Sequence, residues 1–431
     1  MTGEWDMRIL QEGSRGPAVQ LLQLALNRAG IAALETDGRF GPATRAALIA
    51  FQRREGLRPD GIAGALTHRA LTPWYTGYLT HRVQRGESFW SVARLYGASS
   101  DAVRAANPAL APESIPLGAE IVVPLPFPVV PEGIDFCAAT LAFCVQGLAA
   151  RYPALRSASI GRSVMGKPLW SLRAGQGSNR VLYNAGHHAN EWITAPVLLR
   201  FAEELGRAAA EGASLLGTAA SEILDYAELV LIPSVNPDGM DLVTGELQAG
   251  RDFERALRIA ADYPRFSFPG GWKANIRGTD LNLQYPAGWE IARENKFALG
   301  ISSPAPAEYV GSAPLQAPES RALYDFTRAF DPALTLSLHT QGEVIYWKYR
   351  DVEVPGAEEI AALFADLSGY AAEATPYASG FAGYKDWFIQ DYRRPGFTLE
   401  LGRGVNPLPI SDLDAIYARV RGILVLGTLV T

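Results

Sequence analysis

Cysteine is almost absent from this chain: there are two in 431 residues, Cys137 and Cys144. They stand in an apolar stretch, Phe136 to Leu148, that reads as helix. Two helical turns would hold them roughly 10 Å apart, beyond disulfide reach, so both are expected to be buried free thiols. Charge is sparse as well, at 19% of residues with a net of −6. Without a basic surplus, neither nucleic acid nor an anionic membrane surface is an expected partner. No uninterrupted apolar run approaches the roughly 18 residues that a membrane span requires. The opening Met-Thr-Gly-Glu-Trp-Asp-Met-Arg has neither the basic stretch nor the apolar run of a secretory signal, so the expectation is a protein that is not exported by that route and stays cytoplasmic. What the chain does have is apolar material, 48% of residues. That is enough to bury cores, and the length implies two or three domains.

Residues 6–73 carry apolar positions at helical spacing, Val19, Leu21, Leu22, Leu24, Ala25 and Leu26, then Ala46, Ala47, Leu48, Ile49 and Phe51. Between the two runs lies Asp37-Gly38-Arg39-Phe40-Gly41-Pro42-Ala43-Thr44. Its glycines make a tight turn, and Pro42 starts the next helix with φ already set. With Phe51-Gln52, Gly56-Leu57 and Asp60-Gly61, this pattern resembles a small three-helix peptidoglycan-binding domain. In residues 78–125 the string Val83-x-x-Gly86-Glu87-Ser88-Phe89-Trp90-Ser91-Val92-Ala93 is followed by Leu95-Tyr96-Gly97, Asn107-Pro108 and Ile121-Val122-Val123-Pro124. It is similar to a LysM domain, which implies a strand, two helices and a strand, Ser88 capping the first helix, and binding to glycan strands that contain N-acetylglucosamine. Pro124, Pro126, Pro128 and Pro131 then favour an extended, stiff connector.

From 132 to 431, β-rich runs at 180–184, 227–233 and 334–338 alternate with amphipathic helices such as Ile193 to Arg207. The pattern implies an α/β domain with a mixed or largely parallel central sheet flanked by helices, with its site beyond the strand ends. Histidine occurs only five times, yet three copies fall at these strand ends. Gly186-His187-His188-Ala189-Asn190-Glu191-Trp192 follows one strand, and its His188 and Glu191, three apart, can face one ion. Spacing alone favours a surface pair over a ligand pair. His339 ends another strand and completes a three-ligand set, which is what a catalytic zinc with one open position needs.

At this point the chain resembles the zinc carboxypeptidases of pancreatic type, through the motif at 186–192, Asn236-Pro237-Asp238-Gly239, Asp280-Leu281-Asn282, His339 and Phe397-Thr398-Leu399-Glu400-Leu401. The resemblance implies one Zn2+ held by His188, Glu191 and His339. It implies Glu400 as the carboxylate that takes a proton from the attacking water and returns it to the leaving amine. Tyr377 matches a mobile substrate-contacting tyrosine. The arginine that polarises the scissile carbonyl falls within Trp272-Lys273-Ala274-Asn275-Ile276-Arg277. Counting from the tryptophan gives Lys273; side-chain type gives Arg277, the preferred candidate because of its fixed fork. His187 is expected to support or pack against the site.

One departure bears on substrate. Where carboxypeptidases of this kind carry Asn-Arg to hold a free C-terminal carboxylate, this chain has Asn282-Leu283. Asn282 keeps a hydrogen-bonding group, but strict exopeptidase action is put in doubt. Residues 273–284 and Gly383-Tyr384-Lys385-Asp386-Trp387 look like the bacterial γ-D-glutamyl-L-diamino acid peptidases, which cut before meso-diaminopimelate or lysine in peptidoglycan stem peptides. Recognising diaminopimelate needs charges of both signs, which Lys385, Asp386 and Arg403 would supply. The alternatives are a general carboxypeptidase and a wall-binding protein with an inactive peptidase domain.

Overall fold

A computed structural model describes residues 7–112 and 114–430. The first six residues, including the start of the 6–73 segment and most of the stretch read for a secretory signal, lie outside the described residues. The chain divides into two compact units, one built from the chain up to Arg156 together with Glu203–Ala213, the other from Ser157–Ala202 and Ser214 onward. Among the described residues no helix is long and apolar enough to cross a membrane.

The first unit opens with three helices, α1 (Pro17–Arg28), α2 (Pro42–Arg54) and α3 (Ala65–Thr76). Leu22, Leu26, Leu48, Phe51, Leu71 and Tyr75 close on one core. One hydrogen-bonding device is used twice to fold the turns between them. The Gln23 amide donates to Asp37 Oδ1 at 2.8 Å and to Thr44 Oγ1 at 3.2 Å, and accepts from Gly38 N at 3.0 Å. Gln52 does the same with Asp60 at 3.1 Å, Thr67 at 3.2 Å and Gly61 at 2.9 Å. Gly38 and Gly61 sit at φ +70 and +74, where a side chain is strained.

Strand β1 (Tyr78–Arg82), helices α4 (Phe89–Tyr96) and α5 (Ser100–Ala106) and strand β2 (Glu120–Pro124) form the expected βααβ unit, with β1 and β2 antiparallel. Ser88 caps α4 in a reciprocal pair with Ser91. The proline connector is held at several points within the unit: Arg28 donates to Pro128 O, Arg151 to Phe127 O, and the backbone N–H groups of Val129 and Val130 donate to Glu203. Helix α6 (Ala138–Arg151) also packs here, with the Phe143 ring 4.8 Å from that of Tyr75. Cys137 and Cys144 are buried free thiols, as the sequence implied.

The second unit is built on a sheet of eight strands, β3 (Leu155–Arg162), β4 (Pro168–Ala174), β5 (Asn179–Ala185), β8 (Ala227–Ile232), β9 (Leu334–His339), β10 (Val344–Lys348), β11 (Ala371–Ala374) and β12 (Gly396–Glu400); a separate small hairpin, β6 (Ser214–Leu215) and β7 (Thr218–Ala219), lies between β5 and β8 in sequence. Their order is β11-β10-β12-β9-β5-β8-β4-β3. The run β12-β9-β5-β8 is parallel, while β10 against β12 and β4 against β8 are antiparallel, so the sheet is mixed. Helices cover both faces. Leu182 points into a cluster with Trp289, Leu323, Tyr384 and Trp387, whereas its neighbour Tyr183 points the other way and donates its hydroxyl to Leu424 O at 3.0 Å. Every residue of β9 is therefore buried. Because β5, β9 and β12 run in parallel, their carboxyl ends open on one edge, where the chemistry-bearing side chains emerge.

Candidate metal centre

His188 and Glu191 come from the turn after β5. Residues Ala189–Glu191 make a short 3-10 turn before the long helix Thr194–Glu211, so His188 and Glu191 lie on one side of it. His339 is the last residue of β9, and Glu400, the last of β12, is its register partner across the parallel pair. Sheet register thus makes neighbours of two residues that are far apart in sequence.

The three candidate ligands converge. His188 Nδ1 and His339 Nδ1 are 3.3 Å apart, and each lies 2.9 Å from an oxygen of Glu191. Two imidazole nitrogens at ordinary zinc distance and tetrahedral angle would be separated by about 3.3 Å, so the spacing fits one such ion. The donor set, two imidazoles and a carboxylate, is also the chemistry zinc takes in catalytic sites. His188, Glu191 and His339 can hold a single metal ion.

The electrostatics ask for a cation at the same place. Burial works against charge on His188, but the carboxylates of Glu191 and Asp280 outweigh it and push the imidazole pKa up to about 10. Burial also opposes ionisation of Glu191, yet His188 and Lys273 hold its carboxyl well below the usual range. Asp280, outside the triad, sets the ring: its Oδ1 lies 3.2 Å from His188 Nε2 and accepts Asn282 N at 3.1 Å, while Oδ2 accepts Glu308 N at 3.1 Å. With a proton on Nε2, Nδ1 turns its lone pair to the triad. The motif Asp280-Leu281-Asn282 by itself assigns Asp280 no role, and no strand leads into it: it stands in a loop at the head of the short turn Leu281–Leu283.

His187, one residue from a ligand, is different. It is fully buried, its ring stacked 5.6 Å from that of His339 and its Nε2 3.0 Å from Tyr285 Oη. Burial, then the neighbouring His339 and His188, drive its pKa well below the ordinary value, so it packs as a neutral ring. Asn236 ties two site segments together, donating to His187 O at 3.2 Å and Ala274 O at 3.0 Å.

Of the two basic candidates, Lys273 is the one brought to the cluster. Its carbonyl accepts from Ala189 N at 3.0 Å, which sets its backbone beside the ligand turn, and its Nζ is 3.0 Å from Glu191 Oε1. Arg277, the preferred candidate from sequence, lies exposed in the turn between Asn275 and Thr279, with its N–H donated to Asn275 Oδ1. The turn aims position 277 outward, which side-chain type could not reveal.

Glu400 is partly buried, and burial raises its carboxyl pKa, with His339 pulling it down and Glu191 pushing it up. Tyr377 is 72% exposed, its ring edge-on to Phe381 at 5.0 Å. Asn282 is turned inward, its Oδ1 accepting from Tyr384 N at 3.0 Å. Arg403 reaches Glu343 at 2.8 Å in the loop after β12. Lys385 and Asp386 are buried at the start of the helix Tyr384–Tyr392, paired with each other.

Comparison with known proteins bears on the same regions. A zinc carboxypeptidase family model matches residues 142–418, a peptidoglycan binding domain model residues 15–71 and a LysM domain model residues 81–124. Gamma-D-glutamyl-L-diamino acid endopeptidase 1 of Lysinibacillus sphaericus is 43% identical over 283 residues, 66% of this chain and 69% of that protein. Carboxypeptidase B of Bos taurus is 26% identical over 298 residues, 64% of this chain and 65% of that protein. The crystal structure of carboxypeptidase A from Helicoverpa armigera superposes with a TM-score of 0.52 at 16% identity, covering 90% of this chain and 87% of that one, and shares the fold.

Proposed function

The chain belongs to the zinc carboxypeptidase family, and from that premise we propose that it hydrolyses the bond between γ-D-glutamate and a diamino acid, meso-diaminopimelate or lysine, in peptidoglycan stem peptides. The observation that carries the reaction is the cluster of His188, Glu191 and His339 with Glu400 in register beside it. Zinc, when bound there, supplies a Lewis acid for the scissile carbonyl and lowers the pKa of water.

The protein's own groups do the rest. Glu400, its proton affinity raised by burial, takes a proton from the attacking water at its carboxylate and delivers it to the departing amine nitrogen. Lys273 stands where a developing oxyanion would meet its ammonium, and we assign it the polarising role first expected of Arg277. Asp280 keeps the proton on His188 Nε2. Tyr377, exposed on its loop, and Arg403, exposed beside Glu343 in the loop after β12, are the groups we assign to substrate contact.

Leu283 supports the substrate class, since leucine cannot hold the terminal carboxylate that an exopeptidase grips. So does the 43% identity to a relative named for cutting γ-D-glutamyl-diamino acid bonds. The two N-terminal domains would hold the enzyme on peptidoglycan and raise the local substrate concentration. Its place of action, inside a sporulating cell or at the spore wall, belongs to the same proposal and rests on motif resemblance. Digestion of defined muropeptides, with products identified by mass spectrometry, tests the reading. Release of diaminopimelate-containing fragments, abolished by phenanthroline and by Glu400→Gln with zinc retained, is expected. Trimming of ordinary C-terminal peptides in preference would replace it with general carboxypeptidase action.

A further inference from the structure

Lys385 was expected to contact the substrate's diamino acid, yet its surroundings leave it nothing to offer. The side chain is 5% exposed. An ammonium has three N–H donors and no acceptor, and all three are used: on Lys348 O at 2.9 Å, Thr375 Oγ1 at 2.9 Å and Asp386 Oδ1 at 2.5 Å. These acceptors come from three places, the last residue of β10, the residue just after β11, and the helix Tyr384–Tyr392 itself. Thr375 closes the arrangement by donating its own hydroxyl proton to Lys348 O at 2.9 Å, which leaves its lone pairs for the ammonium.

Thr375 is also the near foot of a short arch. Two residues on stands Tyr377, in the turn Tyr377–Ser379, and the far foot is Phe381, buried in the core below. The arch thus has one foot held by packing and the other by the ammonium of Lys385. We propose that Lys385 is a positioning residue that clamps the Tyr377 segment through Thr375, and that it does not bind the diamino acid. The inference rests on the reading of Tyr377 as a substrate contact. It predicts that freeing the foot lowers turnover of every substrate alike, because the arch, not a recognition charge, has been lost.

Thr375→Val is the sharper variant, since it detaches the arch while leaving the Lys385 and Asp386 pair intact; Lys385→Met removes the ammonium at similar length. Both are assayed on γ-D-glutamyl-diaminopimelate and γ-D-glutamyl-lysine tripeptides, which differ in one side-chain carboxylate, alongside zinc content and hydrogen exchange of amides 374–381. The expected result is a fall in kcat/KM of roughly 10- to 100-fold on both substrates, with their ratio unchanged, zinc retained, exchange at 374–381 accelerated, and activity restored in Thr375→Ser. If Lys385→Met instead abolishes discrimination between the substrates while Thr375→Val preserves it, Lys385 is a carboxylate ligand and the proposal falls. Unchanged exchange at 374–381 in Thr375→Val overturns it as well. Should the wild-type protein cut neither tripeptide, the substrate assignment fails, and the exchange measurement alone still decides the clamp.

Discussion

Replacing Asp280 with asparagine separates the orienting carboxylate from the ligands it serves. In the native site Oδ1 serves both His188 Nε2 and Asn282 N, and Oδ2 serves Glu308 N. An asparagine has one acceptor oxygen. Placed at Oδ1 it keeps two of the three bonds and sets its NH2 against the Glu308 N–H; flipped, it loses two. The first orientation is favoured, so the His188 ring stays in place but its hydrogen bond becomes neutral, at roughly half the strength. Mutating such a partner lowers metal affinity about 10- to 100-fold, or about 1.4–2.7 kcal/mol. The orphaned Glu308 N–H costs about 1–3 kcal/mol of fold stability. Zinc competition against a chromophoric chelator reads the first quantity, and urea unfolding of the metal-free protein reads the second. A zinc Kd within twofold of wild type, in a variant whose fold is intact, would refute the role given to Asp280.

Proton release follows from the same site. With its pKa raised to about 10, His188 is protonated in the metal-free protein at neutral pH, and zinc needs its neutral Nδ1. Binding should therefore release one proton from His188, and affinity should rise about tenfold per pH unit until pH nears 10. Calorimetry in buffers of different ionisation enthalpy measures the release. Lys273→Met is expected to lower kcat by about 10²- to 10³-fold, while Arg277→Ala, altering an exposed turn, leaves it within twofold; steady-state kinetics on one stem tripeptide compares them. In the first unit, a Cβ on Gly147 would lie 2.0 Å from Thr76 O, so Gly147→Ala should destabilise by about 1–3 kcal/mol, seen as a lower thermal midpoint.

The site's skeleton was legible because each part sits at a strand end marked by a short motif. His188 and Glu191 share one turn, and His339 and Glu400 close two parallel strands. What sequence could not supply was register. Only the pairing of β9 with β12 shows that His339 and Glu400 are neighbours. The choice between Lys273 and Arg277 depended on a backbone bond to Ala189 and on the outward aim of the turn at Asn275, neither of which has a periodic signature. Lys385 is expected from sequence to offer its charge to the substrate because charged residues are rarely buried; its burial depends on acceptors from β10 and from the residue after β11. The proline connector was expected as a stiff spacer. Its anchoring by Arg28, Arg151 and Glu203 depends on long-range contacts that composition does not encode.

Diffraction from zinc-loaded crystals, with anomalous data on both sides of the zinc absorption edge, tests the central claim most directly. The account requires one anomalous peak per chain, bonded to Nδ1 of His188, Nδ1 of His339 and the Glu191 carboxylate, with Glu400 facing the remaining position. A peak elsewhere, or His339 turned out of bonding range of the ion, would contradict it.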